Sequence, residues 1–396
     1  MKFDFNERID RSRSISIKWS PQQLRRMYGE EDIIPMGIAD MDLKTAPCVS
    51  EAIQARAAHE TYGYGYASEE FLASSAEWQR LRHGWAVDPE WITYTPGVNM
   101  ALVCAVEMFT APGDGVIIQT PVYYPYFDYV RSTGRRIDAS PLVNRSGRYE
   151  MNYDELEKLA RRPDTKLMLL CSPHNPVGRV WSREELERAG RICIDNGVML
   201  AVDEIHSDLV FSPNRHVPFA SISEEFAHSC IVCTSPSKTF NLAGLLVSDI
   251  IIPDARLREA FRAKMSPYYL WPGNFGAAAQ IAAYTHGGEW LDALLCFLGE
   301  NAKYMDGFIR EHMPLVYFCP PEGTYLAWLD FRALGMSGDE LWSFMLHEAR
   351  VATDNGPMFG TGTEGDGFQR LNFACPRPQL EEALTRICSA LRRKGF

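Results

Sequence analysis

Lys238 stands in the stretch Ser235-Pro236-Ser237-Lys238-Thr239-Phe240-Asn241-Leu242-Ala243-Gly244, directly after the apolar run Cys230 to Cys233. Such a run reads as a buried strand. A strand that ends in hydroxyls and one lysine, then a glycine-marked turn, delivers an amine to the edge of a sheet. Small hydroxyl side chains such as Ser235 and Ser237 can hydrogen-bond an anion. The combination suits a lysine held as a Schiff base with a phosphorylated aldehyde cofactor. Taken alone, the lysine reads more readily as a solvated surface residue, so the case depends on what else the chain places at strand ends.

Two further segments supply it. Asp203-Glu204-Ile205-His206 closes the apolar run Val198 to Val202. A carboxylate at the end of a buried strand is costly unless paired. Paired with the ring nitrogen of pyridoxal 5′-phosphate (PLP), Asp203 would keep the ring protonated and able to accept electrons. Cys171-Ser172-Pro173-His174-Asn175-Pro176-Val177-Gly178 follows a third strand-like run, Lys166 to Leu170. Asn175 sits between two prolines that restrict the backbone, and its fixed amide suits the cofactor's phenolate oxygen. Pro96-Gly97-Val98-Asn99 precedes a helix-like run, where Gly97 lets the backbone approach an anion and helix-start N–H groups bind phosphate.

With Asn175, Asp203 and Lys238 in that order, the chain resembles the fold-type-I PLP enzymes, the aspartate-aminotransferase superfamily. Within it the chain is most similar to cystathionine β-lyases of the MalY/PatB type. The resemblance runs from Phe3-Asp4-Phe5 to Cys375-Pro376-Arg377 and includes Ala39-Asp40-Met41-Asp42, Tyr62-Gly63-Tyr64, Pro121-Val122-Tyr123, Trp328-Leu329-Asp330 and Arg370-Leu371-Asn372. It implies that Val98 and Asn99 hold the phosphate through their N–H groups, with Ser235 and Ser237 adding hydroxyl donors. It further implies that Tyr123 stacks on the pyridine ring, with Tyr124 as the neighbouring alternative. Arg370 would clamp the substrate α-carboxylate, where a planar guanidinium binds bidentately as lysine cannot. Asn175 would also touch that carboxylate. Tyr64 corresponds to a tyrosine that reaches the phosphate of a partner subunit, which implies a homodimer with shared active sites. His206 occupies the place where aminotransferases often carry a tyrosine near the phenolate oxygen; it could modulate a proton or be structural. Many aminotransferases follow Ala-Gly-Leu with a phosphate-holding arginine, whereas here Leu246 follows Ala243-Gly244-Leu245.

The elements that must position these residues follow an α/β pattern. Between about 46 and 285, strand-like runs (Gly115 to Ile118, Leu167 to Leu170, Val198 to Val202, Ile231 to Cys233, Ile250 to Ile252) alternate with helical stretches. One is Arg183 to Asp195, which Ser182 can cap with Glu185 at the third helical position. The alternation predicts a large domain with a mostly parallel central sheet covered by helices on both faces. Ligands in such folds lie beyond the carboxyl ends of the strands, where Asn175, Asp203 and Lys238 fall. Residues 286–396 change pattern: a long helix near 288–312, an extended segment around 323–329, a helix near 338–350, then a glycine-rich loop, a strand and a helix. That predicts a smaller α+β domain, and the resemblance adds residues 1–45 to it. The first 45 residues show no sustained periodicity.

Composition sets the class. The chain has 396 residues, 46% hydrophobic and 23% charged, as a globular two-domain protein would. A net charge of −11 argues against a nucleic-acid partner, which calls for a basic face. Ten irregularly spaced cysteines, no apolar signal core at Met1-Lys2-Phe3-Asp4 and no membrane-length apolar run point to a cytoplasmic protein with reduced thiols and no membrane partner. Cys230-Ile231-Val232-Cys233 would place its thiols on opposite faces of a strand, so no metal is expected. Gly360-Thr361-Gly362-Thr363-Glu364-Gly365 leads into a strand rather than a helix, which removes the dinucleotide reading. The expected activity is α,β-elimination from cystathionine or another cysteine S-conjugate, with an amino-acid substrate. The alternatives are an aminotransferase on the same site and a regulator-binding protein of the same fold.

Overall fold

Seven strands pair into one sheet: β1 (Ile92–Thr95), β2 (Gly115–Ile118), β3 (Arg136–Ala139), β4 (Thr165–Cys171), β5 (Met199–Asp203), β6 (Cys230–Thr234) and β7 (Ser248–Ile251). The spatial order is β1-β7-β6-β5-β4-β2-β3. Strands β3, β2, β4, β5 and β6 run parallel, and β7 lies antiparallel between β6 and β1. The central strands read as unbroken apolar runs because both faces are covered. Leu200, Val202, Cys230 and Val232 enter one core; Ala201, Ile231 and Cys233 enter the other. The two thiols of the Cys-x-x-Cys pair therefore face opposite layers, as their odd spacing on a strand requires.

Helix α1 (Val98–Phe109) supplies the second of these cores and α2 (Arg183–Asp195) the first. The capping box of Ser182 and Glu185 at the start of α2 is formed as the sequence predicts. The structure, a computed structural model, describes residues 3–396. Met1 and Lys2, part of the expected N-terminal small-domain segment, lie outside the described residues.

A second sheet comprises β8 (Tyr317–Phe318), β9 (Leu326–Asp330), β10 (Asp354–Asn355) and β11 (Phe368–Asn372), all antiparallel in the order β8-β9-β11-β10. The helix Gly288–His312 packs with it, as does Arg377–Lys394. A parallel bridge between Ile34–Pro35 and Val351–Ala352 draws the N-terminal segment to this part of the chain. Asn372 Nδ2 then donates to the carbonyls of Ile38 (2.8 Å) and Asp40 (2.6 Å), and Asp42 N–H donates to Ala374 O.

Two local expectations differ from what is observed. The first 45 residues contain a helix, Pro21–Tyr28, too short to register as a periodic run, with Leu24 its one buried residue. The helix expected near 338–350 is α-helical only over Gly338–Ser343 and continues as a π-helical turn, Phe344–Glu348. The glycine-rich segment 360–365 runs into strand β11, not a helix. Replacing Ser182 by alanine should cost about 1 kcal/mol, the usual worth of a helix cap. Urea unfolding should show that loss while catalytic rates stay at the wild-type level.

Candidate active site

Strands β4, β5 and β6 end side by side, with Cys171, Asp203 and Cys233 in register. Beyond those ends lies a cavity of about 180 Å³ lined by Asn175, Asp203, His206, Lys238, Tyr123 and the first residues of α1. Three chain segments that the sequence spaces about thirty residues apart thus converge because parallel strands all finish on one edge.

Lys238 is carried on a single helical turn, Pro236–Thr239, that starts where β6 stops. Its only hydrogen bond among the described residues runs from Nζ to the Ala39 carbonyl at 2.6 Å. Burial, reinforced by the positive charge of Arg370 and opposed by Asp40 and Asp203, lowers its pKa to about 8. The Ala39 segment is fixed by Asn241, which accepts from Met41 N–H and donates to Met41 O and Leu43 O. Farther out, buried Lys18 and partly buried Arg11 bond Asp40 and Asp42.

Asp203 is buried, and desolvation raises its carboxyl to about 6 against the hydrogen bonds it accepts. Tyr126 OH donates to Oδ2 at 2.8 Å and Ile205 N–H to Oδ1 at 3.1 Å. The adjacent Glu204 faces away: it accepts from Phe219 N–H at 2.8 Å and lies 3.0 Å from His216 Nε2. Asp203 is therefore the carboxylate that meets the cavity.

At the rim, Gly97 has φ +126°, a conformation L side chains rarely adopt, and it leads into α1. The N–H groups of Val98 and Asn99 belong to the first turn, where amides lack intrahelical partners. Ser237 lines the cavity beside them. Ser235, expected to add a second hydroxyl, does not line it. Its Oγ accepts from Ser237 N–H and lies 2.6 Å from Val247 O and 2.9 Å from Ser237 Oγ, so it stands directly behind the Ser237 hydroxyl.

Tyr123 faces the cavity, whereas Tyr124 packs edge-on against Phe359. His206 is buried against Tyr325, and its Nδ1 lacks a partner among the described residues. Burial, then the charges of Lys238 and Arg370, lowers it to about 3, so the imidazole is neutral at physiological pH. Arg370 stands one step behind the lining: Nη1 donates to Asn175 Oδ1 at 2.9 Å, and the guanidinium lies 4.8 Å above the ring of Phe359. Its other terminal nitrogen donates to Asp354. Tyr64 is 95% exposed and remote from the cavity of its own chain, touching Trp271. Tyr62, by contrast, is tied to Phe275 and Ala57 O.

Sequence reasoning missed Tyr126, the Ala39 carbonyl and Asp354. Tyr126 lies three residues past Tyr123 at a helix start, a spacing that could have suggested a shared face. A backbone acceptor leaves no side-chain signal. Asp354 meets Arg370 only through the β10–β11 register, in which the two are direct partners.

A desolvated amine, a buried carboxylate, exposed helix-start amides and a neutral imidazole around one small cavity form the donor set that a phosphorylated pyridine aldehyde requires. The chain belongs to the aminotransferase class I and II family, whose pattern it matches over residues 31–387. It is 41% identical to cystathionine β-lyase PatB of Bacillus subtilis (strain 168), covering 98% of this chain and 100% of that protein. Protein MalY of Escherichia coli (strain K12) is 33% identical over 98% of this chain and 99% of its own. Among solved structures, cystalysin from Treponema denticola, which contains a pyridoxal 5′-phosphate cofactor, superposes with a TM-score of 0.95 at 37% identity over 100% of both chains.

Borohydride reduction after addition of PLP should leave the cofactor covalently attached at Lys238, read by peptide mass spectrometry, and Lys238→Ala should not be labelled there. Because the amine titrates near 8, its uncharged fraction and hence its attachment rate should rise between about pH 7 and 9, below the range of an ordinary lysine near 10.4.

Proposed function

We propose that this protein is a PLP-dependent carbon–sulfur β-lyase that cleaves cystathionine or related cysteine S-conjugates to a thiol, pyruvate and ammonia. The observation that carries the reading is the pairing, across one cavity, of the desolvated Lys238 amine with the buried Asp203 carboxylate. Full-length similarity to a cystathionine β-lyase supports elimination as the outcome. Leu246 at the rim supports it too, since it stands where many aminotransferases place an arginine.

In this reading the first-turn amides of Val98 and Asn99, with the Ser237 hydroxyl, hold the phosphate. Asp203 would accept a hydrogen bond from the protonated ring nitrogen and so keep its proton there, and Tyr126 keeps that carboxylate oriented. Tyr123 would pack against the cofactor, and Asn175 and neutral His206, which line the same cavity, would hydrogen-bond its polar edge. When bound, the cofactor supplies an electron sink for negative charge at the substrate α-carbon. Arg370 and Asn175 bind the α-carboxylate. Lys238 Nζ removes the α-proton, and a base so placed typically contributes about 10²–10⁴-fold. The thiolate leaves with the electron pair of its bond to the β-carbon, and one water is consumed in giving pyruvate and ammonia, with no net redox change.

The reading includes a homodimer with shared sites. Its support is the exposure of Tyr64, Tyr66, Tyr268, Tyr269 and Trp271, of which Tyr64 and Tyr269 pack on Trp271, together with the exposed Leu246 at the cavity rim. It divides the chain into a large unit, 46–285, and a small unit, 1–45 with 286–396, each supported by its own sheet. Ten free cysteines support a cytoplasmic setting.

Incubation with cystathionine and no oxo-acid should yield thiol, pyruvate and ammonia in equal amounts. Turnover only with an added oxo-acid, without ammonia, would replace elimination by transamination. Asp203→Asn should bind PLP yet lose most of its rate, because a neutral amide does not pair with a protonated ring. Co-expressed Tyr64→Ala and Lys238→Ala chains should regain activity that neither homodimer shows, since mixed dimers contain one intact site. No recovery in verified mixed dimers would remove Tyr64 from the shared site.

A further inference from the structure

Arg370 already holds a carboxylate. Asp354 Oδ2 bonds one terminal nitrogen, Asn175 Oδ1 the other, and Gly37 O lies 3.4 Å from the first. Of its five N–H donors, Nε is buried without a partner among the described residues, and one N–H of Nη1 is also unassigned. An incoming α-carboxylate therefore meets a guanidinium on which another carboxylate sits, and two anions must share or exchange one cation.

Asp354 is itself only half satisfied. No donor among the described residues reaches Oδ1, and that oxygen faces Gly37, where a Cβ would stand 2.5 Å away. Glycine at 37 is what gives this carboxylate its place. Burial, then the Asp354 charge, raises the phenols of Tyr28 and Tyr124, so both stay neutral, and among the described residues Arg370 is the one cation that pairs with Asp354. The side chain is 12% exposed against 2% for Arg370, which makes Asp354 the accessible member of the pair. A carboxylate loosened from its arginine in such surroundings needs a replacement cation.

We propose that Asp354 is a specificity-determining residue that occupies the α-carboxylate position on Arg370 in the resting site and, once displaced, receives a distal ammonium group of the substrate. The favoured substrates are then amino acids whose leaving thiol carries a second amino group, as the distal half of cystathionine does. Conjugates whose leaving thiol carries only a carboxylate are disfavoured by like charge. This rests on the β-lyase reading for its rates, though not for its binding.

The test compares three cysteine conjugates on the holoenzyme: cystathionine, S-ethylcysteine with no distal charge, and S-carboxyethylcysteine with a distal carboxylate only. Wild type should favour cystathionine. Asp354→Asn should lower kcat/KM for cystathionine roughly tenfold or more through KM, as expected for loss of a partly buried ion pair. The same variant should improve both S-ethylcysteine and S-carboxyethylcysteine, since neither then competes with a second carboxylate for Arg370 and neither loses an ammonium partner. Equal losses on all three would make Asp354 a mere support for Arg370, and equal values on all three would leave it idle; either result overturns the proposal. If wild type cleaves none of them, the β-lyase reading falls, and calorimetric dissociation constants for the same three ligands still decide the charge preference of Asp354.

Discussion

The site depends on a buried amine that no carboxylate touches directly. Lys238 Nζ donates to a backbone carbonyl, Ala39 O, and the charges that favour its protonation stand farther off at Asp40 and Asp203. A direct ion pair would hold the amine as ammonium, unable to act as nucleophile or base; full isolation would strand a polar group in a dry cavity. The carbonyl satisfies one donor without adding a full charge. Much of the surrounding structure keeps that carbonyl in place: Asn241 from the segment after the lysine, Asn372 from β11, and the Lys18–Asp42 and Arg11–Asp40 pairs from the N-terminal segment.

The same economy of charge is visible at Asp203 and Glu204. Adjacent carboxylates at the end of β5 point to opposite sides, one to the cavity and one to Phe219 and His216. Alternation along an extended chain separates them without further machinery. Tyr126 then completes Asp203, donating a hydrogen bond that favours the charged form against the burial that opposes it.

The parallel strands were legible because burial on both faces writes unbroken apolar runs into the sequence, and the ends of those runs located Asn175, Asp203 and Lys238. The capping box at Ser182 was legible because a cap is local chemistry. What escaped was set by pairing between distant segments. Asp354 faces Arg370 through strand register, and Ala39 meets Lys238 through the packing of an N-terminal loop with no periodicity. Ser235 shows the converse limit: its type was right for binding an anion, but its Oγ stands behind the Ser237 hydroxyl, against Val247 O twelve residues on.

The wall behind Lys238 joins the two ends of the chain. Ile38 and Asp40 are held by Asn372, Asp42 by Ala374, and Ile34–Pro35 by Val351–Ala352. On the ribosome the large sheet can assemble while the last hundred residues are still being made, yet the carbonyl that receives the lysine lacks Tyr325 and Asn372, part of its support, until the second sheet emerges. Domains emerge from the N-terminal side at about 5–20 residues per second. A chain cut short before β11 would thus lack Asn372 behind that wall and the Arg370 charge that helps lower the amine.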